Sequence, residues 1–335
     1  MKVVPGKGLA RFVDGTRSRQ LELYKGLPAD GWFVGAVNLD PKLFEDWATM
    51  GVEFWASMLK LEKEEQDKLQ GLMAQLLAVE TGDSAFWIGY DGDFPFRFLS
   101  ITGITDPVKA KAALYETYGI LFAKAGALIQ SLAGPELATM PKMDWSSPKT
   151  LLASLKPELD KTGVTMDLKS QKVGDVDVDS LDIGVDYTKV PLPAGDEDLK
   201  EITDALGTKL SGALGFSKDR IYGTFGKAAV SDIEAISKGG NGDQLKDIIA
   251  GAKTRVAGAV WFGLRDVLRI VAKIDDDIAQ GMPNLETEKD PIGVTFLIGG
   301  RDERIMDANV AIPISKIAAL LSRPGVPAGG APVTP

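Results

Sequence analysis

The chain has 335 residues, 44% of them hydrophobic and 25% charged, which is enough apolar material for about two packed domains and excludes general disorder. Its 47 acidic and 38 basic residues give a formal net charge of −9, and a surface of that sign argues against nucleic acid and anionic membranes as partners. The chain contains no histidine and no cysteine. It therefore cannot form a Ser-His-Asp triad, a disulfide, a thiol nucleophile, or the zinc and iron–sulfur sites that those residues build.

We next consider membrane segments, a secretory signal and the tail of the chain. No stretch of about 18 consecutive apolar residues occurs, so we predict no transmembrane segment. Residues 1–6 lack the apolar region of a secretory signal, which leaves either a cytoplasmic protein or an exported one whose leader is absent from this sequence. Residues 323–335 are rich in proline and glycine and are predicted to form a flexible tail.

The first predicted domain, residues 1–133, opens with an apolar strand at Trp32–Leu39. Asp40-Pro41 then supplies the residues that typically cap and begin a helix. That helix carries six large apolar side chains at three- and four-residue spacing, which we call the aromatic stripe: Phe44, Trp47, Met50, Phe54, Trp55 and Met58. Such a stripe is usually core, and we expect it to pack beneath the Trp32 strand. The alternative is an apolar binding surface for a lipid or a partner helix, because methionine and tryptophan make adaptable contacts.

The rest of this domain predicts a hairpin and a helix. Ala85–Tyr90 and Phe94–Ile101 alternate as strands do, and Asp91-Gly92 between them is a strong hairpin signal. Asp106-Pro107 then begins a long helix in the same way that Asp40-Pro41 begins the first.

Residues 134–149 are the best candidate linker, and residues 150–322 form the second predicted domain. Gly163–Lys169 and Val176–Tyr187 predict another hairpin, in which the apolar positions change parity near Asp179-Ser180 and indicate a β-bulge. A helix is predicted over Asp198–Leu214, and a strand over Arg220–Phe225.

The last part of the chain repeats the order of the first. After two short helices, the predicted elements are a strand at Val256–Leu264, a helix, a hairpin over 293–312 and a closing helix at Ile314–Leu321. The opening strands of the two parts share a motif, Gly35-Ala36-Val37 and Gly258-Ala259-Val260. We therefore predict an α+β fold of antiparallel sheets with helices packed on one face, and a possible internal duplication of a β-α-β-β-α unit.

Short motifs in the chain point weakly to chemistry. Ser57-x-x-Lys60, Ser146-x-x-Lys149 and Lys161-Thr162-Gly163 match elements of penicillin-recognising serine enzymes, but the middle S-D-N element is missing. Asp175, Asp177 and Asp179 resemble the opening of a calcium loop, yet Ser180 stands where an EF-hand needs glycine, and on a strand these acids simply face solvent.

The sequence thus predicts no catalytic residue, no cofactor and no metal site. It leaves three candidate functions, which can be ranked. The phrase Leu27-Pro28-Ala29-Asp30 before repeated strand–helix units resembles exported, lipoprotein-like bacterial proteins of unknown function, and this resemblance implies a location in the cell envelope. We expect first a non-enzymatic envelope or extracellular protein with an interaction or structural role, through a protein partner or self-association. A binding module for an apolar ligand such as a lipid comes second, and a carboxylate-based hydrolase third.

Overall fold

The computed structural model describes most of the chain. The described residues are Gly15, 21–91, 94–132, six positions between 150 and 161, 163–186, 209–240, 242–252, 255–272, 292–302 and 305–321. The predicted linker 134–149 and the predicted tail 323–335 lie outside the described residues.

The described part of the chain contains ten strands, several of them in hairpins, and helices between groups of strands. The strands are β1 (Phe33–Asn38), β2 (Glu80–Asp91), β3 (Phe94–Ile104), β4 (Val164–Val173), β5 (Val176–Val185), β6 (Lys209–Phe216), β7 (Arg220–Gly226), β8 (Arg255–Gly263), β9 (Gly293–Asp302) and β10 (Ile305–Ala311). The helices are α1 (Glu45–Leu59), α2 (Lys63–Val79), α3 (Pro107–Leu132), α4 (Ala229–Ser237), α5 (Asp243–Ala250), α6 (Leu264–Ala272) and α7 (Ile314–Leu321). Short 3-10 helices occupy Leu23–Gly26 and Pro41–Phe44.

All ten strands belong to one antiparallel sheet, in the order β10-β9-β8-β1-β2-β3-β7-β6-β5-β4. The predicted α+β class and the antiparallel pairing are confirmed. Strands from both predicted domains are neighbours in this sheet, since β1 pairs with β8 and β3 pairs with β7. The boundary at 134–149 therefore does not separate two sheets.

One face of the sheet carries the main hydrophobic core. Val34, Trp87 and Leu99 point into it from neighbouring strands, and Ile233 of α4 and Leu245 of α5 cover them from above. The 3-10 helix at Leu23–Gly26 contributes further buried side chains to the same core. We call this the inner face and the opposite one the outer face.

Helices also pack on the outer face, at one end only. Ala110 of α3 is buried against Val79, Ile104 and Ile221, and the last two are outer-face positions of β3 and β7. Helix α2 packs along α3, whereas α1 has its main contacts with these two helices and with Pro41–Phe44. The sequence predicted helices on one face of the sheet only. The helices α1, α2 and α3 form a second layer, on the outer face, because they bury apolar surface mainly against one another.

Two details of the predicted second half are wrong, and one is left open. Residues 209–214, expected within a helix over Asp198–Leu214, belong to strand β6, while Asp198–Thr208 lies outside the described residues. Pairing on both sides of β5 runs through Asp179-Ser180 without a shift in register, so the predicted bulge is absent there. Gly35-Ala36-Val37 pairs directly with Gly258-Ala259-Val260, and the duplication remains a prediction.

Candidate functional site: two exposed apolar surfaces

The aromatic stripe lies on the surface of the protein. Five of its six side chains are exposed: Trp47 is 73% exposed, Met50 and Phe54 61%, Met58 42% and Trp55 41%. Phe44 is half-buried. The prediction that this stripe packs beneath the Trp32 strand is wrong, because the inner face of that strand is already covered by other elements.

Helix α1 buries its smaller apolar residues instead. Val52, Ala56 and Leu59 are spaced by four and three residues, so they share one face of the helix, and all three are buried against α2 and α3. Trp47 and Phe54 lie seven residues apart on the opposite face. The helix is therefore apolar on two sides, with its largest side chains directed outward.

A groove runs beside the stripe between α1, α2 and α3. It has a volume of about 350 Å³ and is lined from α1 by Trp47 and Trp55, from α2 by Leu69 and Met73, and from α3 by Leu121. Ligand pockets begin at about 300 Å³ and are lined mainly by apolar and aromatic side chains. Both the size and the lining of this groove suit an apolar side chain or ligand.

The charges around the stripe are uneven. Helix α1 contains three acidic residues, Glu45, Asp46 and Glu53, and no basic one, and all three acidic side chains are exposed. No ion pair involves them among the described residues. The basic residues of the groove walls are paired with acids: Lys63 with Asp67 at 2.7 Å, Lys68 with Glu116 at 2.5 Å and Lys124 with Glu65 at 2.7 Å.

A second apolar surface crosses the outer face of the sheet. Its members are directly opposite one another on nine successive strands, from β9 to β4, and we call them the apolar row: Val294, Phe262, Phe33, Ile88, Phe98, Phe225, Gly212, Leu181 and Leu168. Phe98, Phe225 and Leu168 are 36 to 43% exposed. Every position of the row is apolar, although it lies opposite the main core.

Aromatic rings stack around the centre of this row. The ring of Phe33 lies 5.0 Å from that of Phe86 and 5.8 Å from that of Phe262, both edge to face. The Phe86 ring occupies the space above Gly35, where an added Cβ would lie 2.4 Å from it. A side chain at Gly35 would displace this ring, so the glycine shapes the floor of the surface.

Where α3 meets the outer face, polar groups replace the apolar ones. The Tyr115 hydroxyl donates to Asp179 at 2.7 Å, and the Lys111 ammonium lies 2.8 Å from the same carboxylate. Burial acts to raise the pKa of Asp179, but the bonds from Lys111, Ser170 and Tyr115 outweigh it and hold that pKa below its ordinary value. Burial and the bond to Asp179 raise the pKa of Tyr115.

The three aspartates that resemble the opening of a calcium loop, Asp175, Asp177 and Asp179, are not arranged as a cation site. Asp179 is engaged by Lys111 and Tyr115, while Asp175 lies in the turn between β4 and β5. Nowhere in the described ranges do three acidic side chains converge as they would around a metal ion.

A cleft on the other side of α1 bears on the hydrolase alternative. It has a volume of about 580 Å³ and is lined by Asp40, Glu45, Asp46 and Glu80, among other residues. Burial raises the pKa of Glu80, as a general acid requires. Asp40 is engaged in capping, since its side chain accepts a hydrogen bond from the Lys42 amide. Glu80 is thus the candidate acid of that alternative, and its partner is unassigned.

Comparisons with known proteins add no family to this description. No protein-family model matches the chain, and no characterised protein or solved structure is similar to it. Among the helices that the structure describes, none is long and apolar enough to cross a membrane.

Proposed function

We propose that this protein is a non-enzymatic interaction protein of the cell envelope or the extracellular space, and that the aromatic stripe of α1 is its contact surface. The observation that carries this proposal is the outward direction of Trp47, Met50 and Phe54 on a helix that already buries another face. Contact of large apolar side chains with water is unfavourable, so a cluster of them at the surface indicates a partner.

The size of the stripe supports a protein as that partner. Its five exposed side chains present roughly 550 Å² if each is taken as ~200 Å² when fully exposed. The largest apolar patch on a typical monomer covers about 300–600 Å² and is often functional, and a standard interface buries about 800 Å² per partner. Tryptophan is also enriched among the residues that dominate binding energy at interfaces.

The double substitution Trp47→Ser and Phe54→Ser tests this role. We expect the free energy of unfolding to fall by only about 1 kcal/mol, because exposed side chains contribute little to folding and the main loss is the edge-to-face contact of Phe54 with Trp55. A photo-reactive phenylalanine analogue at Met50 should give a discrete protein adduct in native cells, and the double substitution should abolish it. Chemical denaturation and gel analysis of the adducts measure the two effects.

The same analogue at Asp247, an exposed position on α5, is the control and should give no such adduct. Large-to-small substitutions in a core lower stability by about 3 kcal/mol or more. A loss of that size would show that Trp47 and Phe54 are core residues and not a contact surface. Equal labelling at Met50 and Asp247 would remove the evidence for a specific partner.

The proposed location rests on two features of the sequence. The chain has no cysteine, which suits proteins that leave the reducing cytoplasm without forming disulfides, and it carries the Leu27-Pro28-Ala29-Asp30 phrase of exported proteins. Fractionation of native cells should place the protein outside the cytoplasm. Recovery of the full chain from the cytosol alone would contradict this part of the proposal.

A second candidate function, the binding of an apolar ligand such as a lipid, is favoured by the apolar row. Polar residues are the usual occupants of a sheet face that is exposed to solvent. This face instead presents Phe33, Ile88, Phe98 and Phe225 side by side on β1, β2, β3 and β7. A continuous apolar strip without charged side chains is the surface that a hydrocarbon chain would cover.

A further inference from the structure

We propose that the partner of the α1 surface is a basic amphipathic helix, whose apolar side covers the aromatic stripe and whose lysine or arginine side chains face Asp46 and Glu53. This inference rests on the proposed interaction role of the stripe and adds the chemistry of what binds there.

The acidic residues of α1 form one edge of the stripe. Asp46, Met50 and Glu53 follow one another at four- and three-residue spacing, so the two carboxylates lie on the same side of the helix with Met50 between them. Seven residues of helix place them about 10.5 Å apart along the axis, which is two turns. A helix laid along α1 with two basic residues seven positions apart would match this spacing.

The local charge of the surface points in the same direction. The lysines of α2 and α3 closest to the groove are held in ion pairs with Asp67, Glu116 and Glu65. In contrast, Asp46 and Glu53 have no such partner among the described residues. Over residues 40–62 the five acidic side chains outnumber the two basic ones, Lys42 and Lys60, and this local excess adds to the net charge of −9 of the whole chain.

A second copy of this chain is a poorer occupant on the same grounds. Two copies packed stripe against stripe would place Asp46 and Glu53 of both copies at one interface, where α1 offers no basic residue to pair with them, and such uncompensated like charges are unfavourable. An anionic membrane would meet the same repulsion.

The shape of the surface selects a helix among basic partners. Helix α1 has 15 residues and presents a surface about 22 Å long, and the groove of about 350 Å³ runs beside it. An amphipathic helix that enters such a groove places large apolar residues at positions i, i+3, i+4 and i+7. Met50 and Met58 are exposed members of the stripe, and their flexible side chains can adapt to such residues.

The experiment uses two synthetic amphipathic helical peptides with the same leucine face, one with lysine on its polar flanks and the other with glutamate in every lysine position. Their affinities are measured by fluorescence anisotropy at low and high salt for the full chain and three variants. The stripe variant carries Trp47→Ser and Phe54→Ser, and the edge variant carries Asp46→Lys and Glu53→Lys. The matched control, Asp177→Lys with Asp247→Lys, changes the net charge by the same amount at exposed sites away from α1.

The lysine peptide should bind the unmodified chain and weaken as salt rises, because screening reduces the attraction. The edge variant should lose at least about tenfold in affinity for it and should prefer the glutamate peptide, whereas the control should stay within about twofold of the unmodified chain. The stripe variant should lose both peptides.

Each contrary result has its own meaning. Equal affinity of the edge variant and the unmodified chain for the lysine peptide would overturn the charge proposal and leave the interaction role intact. Unchanged binding by the stripe variant would instead overturn the interaction role.

Other occupants of the surface are separate outcomes that would overturn a helical partner. Dimers in light scattering that the stripe variant abolishes would assign the surface to a second copy. Tighter binding to anionic than to zwitterionic vesicles would assign it to a membrane. An affinity raised at least about tenfold by removing residues 1–14, which include Lys2, Lys7 and Arg11, would assign it to this segment of the chain itself.

Discussion

Substitution of Asp232 by alanine is expected to lower the free energy of unfolding by about 3 to 5 kcal/mol, as breaking a buried ion pair does. Asp232 on α4 is only 4% exposed and receives two hydrogen bonds from Arg97 on β3, to Oδ1 at 2.6 Å and to Oδ2 at 3.1 Å. The guanidinium also lies over the Trp87 ring, 5.5 Å from its centroid. The substitution would remove both charge-assisted bonds that Arg97 makes to this carboxylate.

The position of the Arg97–Asp232 pair explains why its loss should also weaken the packing of α4 on the sheet. Trp87 and Ile233 are buried in the main core on either side of it, so the pair ties α4 to the sheet where the core is deepest. Arg97 is partly exposed, and water that reaches it limits the loss to the lower part of the expected range.

Denaturant-induced unfolding measures the effect, and two controls interpret it. The exposed pair of Lys238 and Glu234 should contribute less than about 0.5 kcal/mol when Glu234 is replaced by alanine. The double substitution Arg97→Met with Asp232→Leu should recover most of the loss, because it removes both charges together. If Asp232→Ala costs no more than Glu234→Ala, the pair is not a structural contact of the core.

The hairpins and the α+β class follow from local signals in the sequence. Asp91-Gly92 between two alternating strands specifies a tight turn whatever surrounds it, and β2 and β3 pair there. Asp40 likewise caps the 3-10 helix that precedes α1. The order of strands in the sheet has no local signal, because the pairing of β1 with β8 joins residues more than 200 positions apart.

The direction of the aromatic stripe could not be predicted, since both sides of α1 carry apolar residues at helical spacing. Val52, Ala56 and Leu59 form the buried side because their small size lets α1 approach α2 and α3 closely. Periodicity shows that a helix is amphipathic; it does not show which of two apolar sides meets the protein.

The apolar positions of β5 do change parity, but the change marks a switch from the inner to the outer face of the sheet and not a β-bulge. Val176 and Val178 face the main core, while Leu181 and Ile183 face outward in an unbroken strand. A bulge was the simpler interpretation because an apolar residue on the outer face had no evident partner. Leu181 lies between Gly212 and Leu168 in the apolar row, and only the order of the strands reveals these neighbours.

The apolar row yields the second large effect. We expect the full chain to bind a fluorescent long-chain fatty acid, and the double substitution Phe98→Ser with Phe225→Ser to weaken this binding at least about tenfold. From Phe262 to Phe225 the row crosses five strands, about 19 Å at ~4.8 Å per strand. One leaflet of a hydrocarbon core about 30 Å thick is ~15 Å deep, so an acyl chain has a length that the row can hold.

The energetics of the contact set the size of the effect. Burial of hydrocarbon contributes about 0.8 kcal/mol per methylene, so losing contact with even two methylenes weakens binding about tenfold. Fluorescence titration of the fatty acid measures the change. Val108→Ser, at an exposed position at the start of α3, is the matched control and should bind like the unmodified chain.

The stripe variant, Trp47→Ser with Phe54→Ser, separates the two apolar surfaces in the same titration. If the row holds the acyl chain, this variant should bind it with unchanged affinity, since its substitutions lie on α1 and not on the sheet. If the stripe variant loses fatty-acid binding and the Phe98 and Phe225 variant keeps it, the binding site is the groove between the helices and not the apolar row. No binding by the unmodified chain would remove lipid as a ligand and leave the row to be covered by protein.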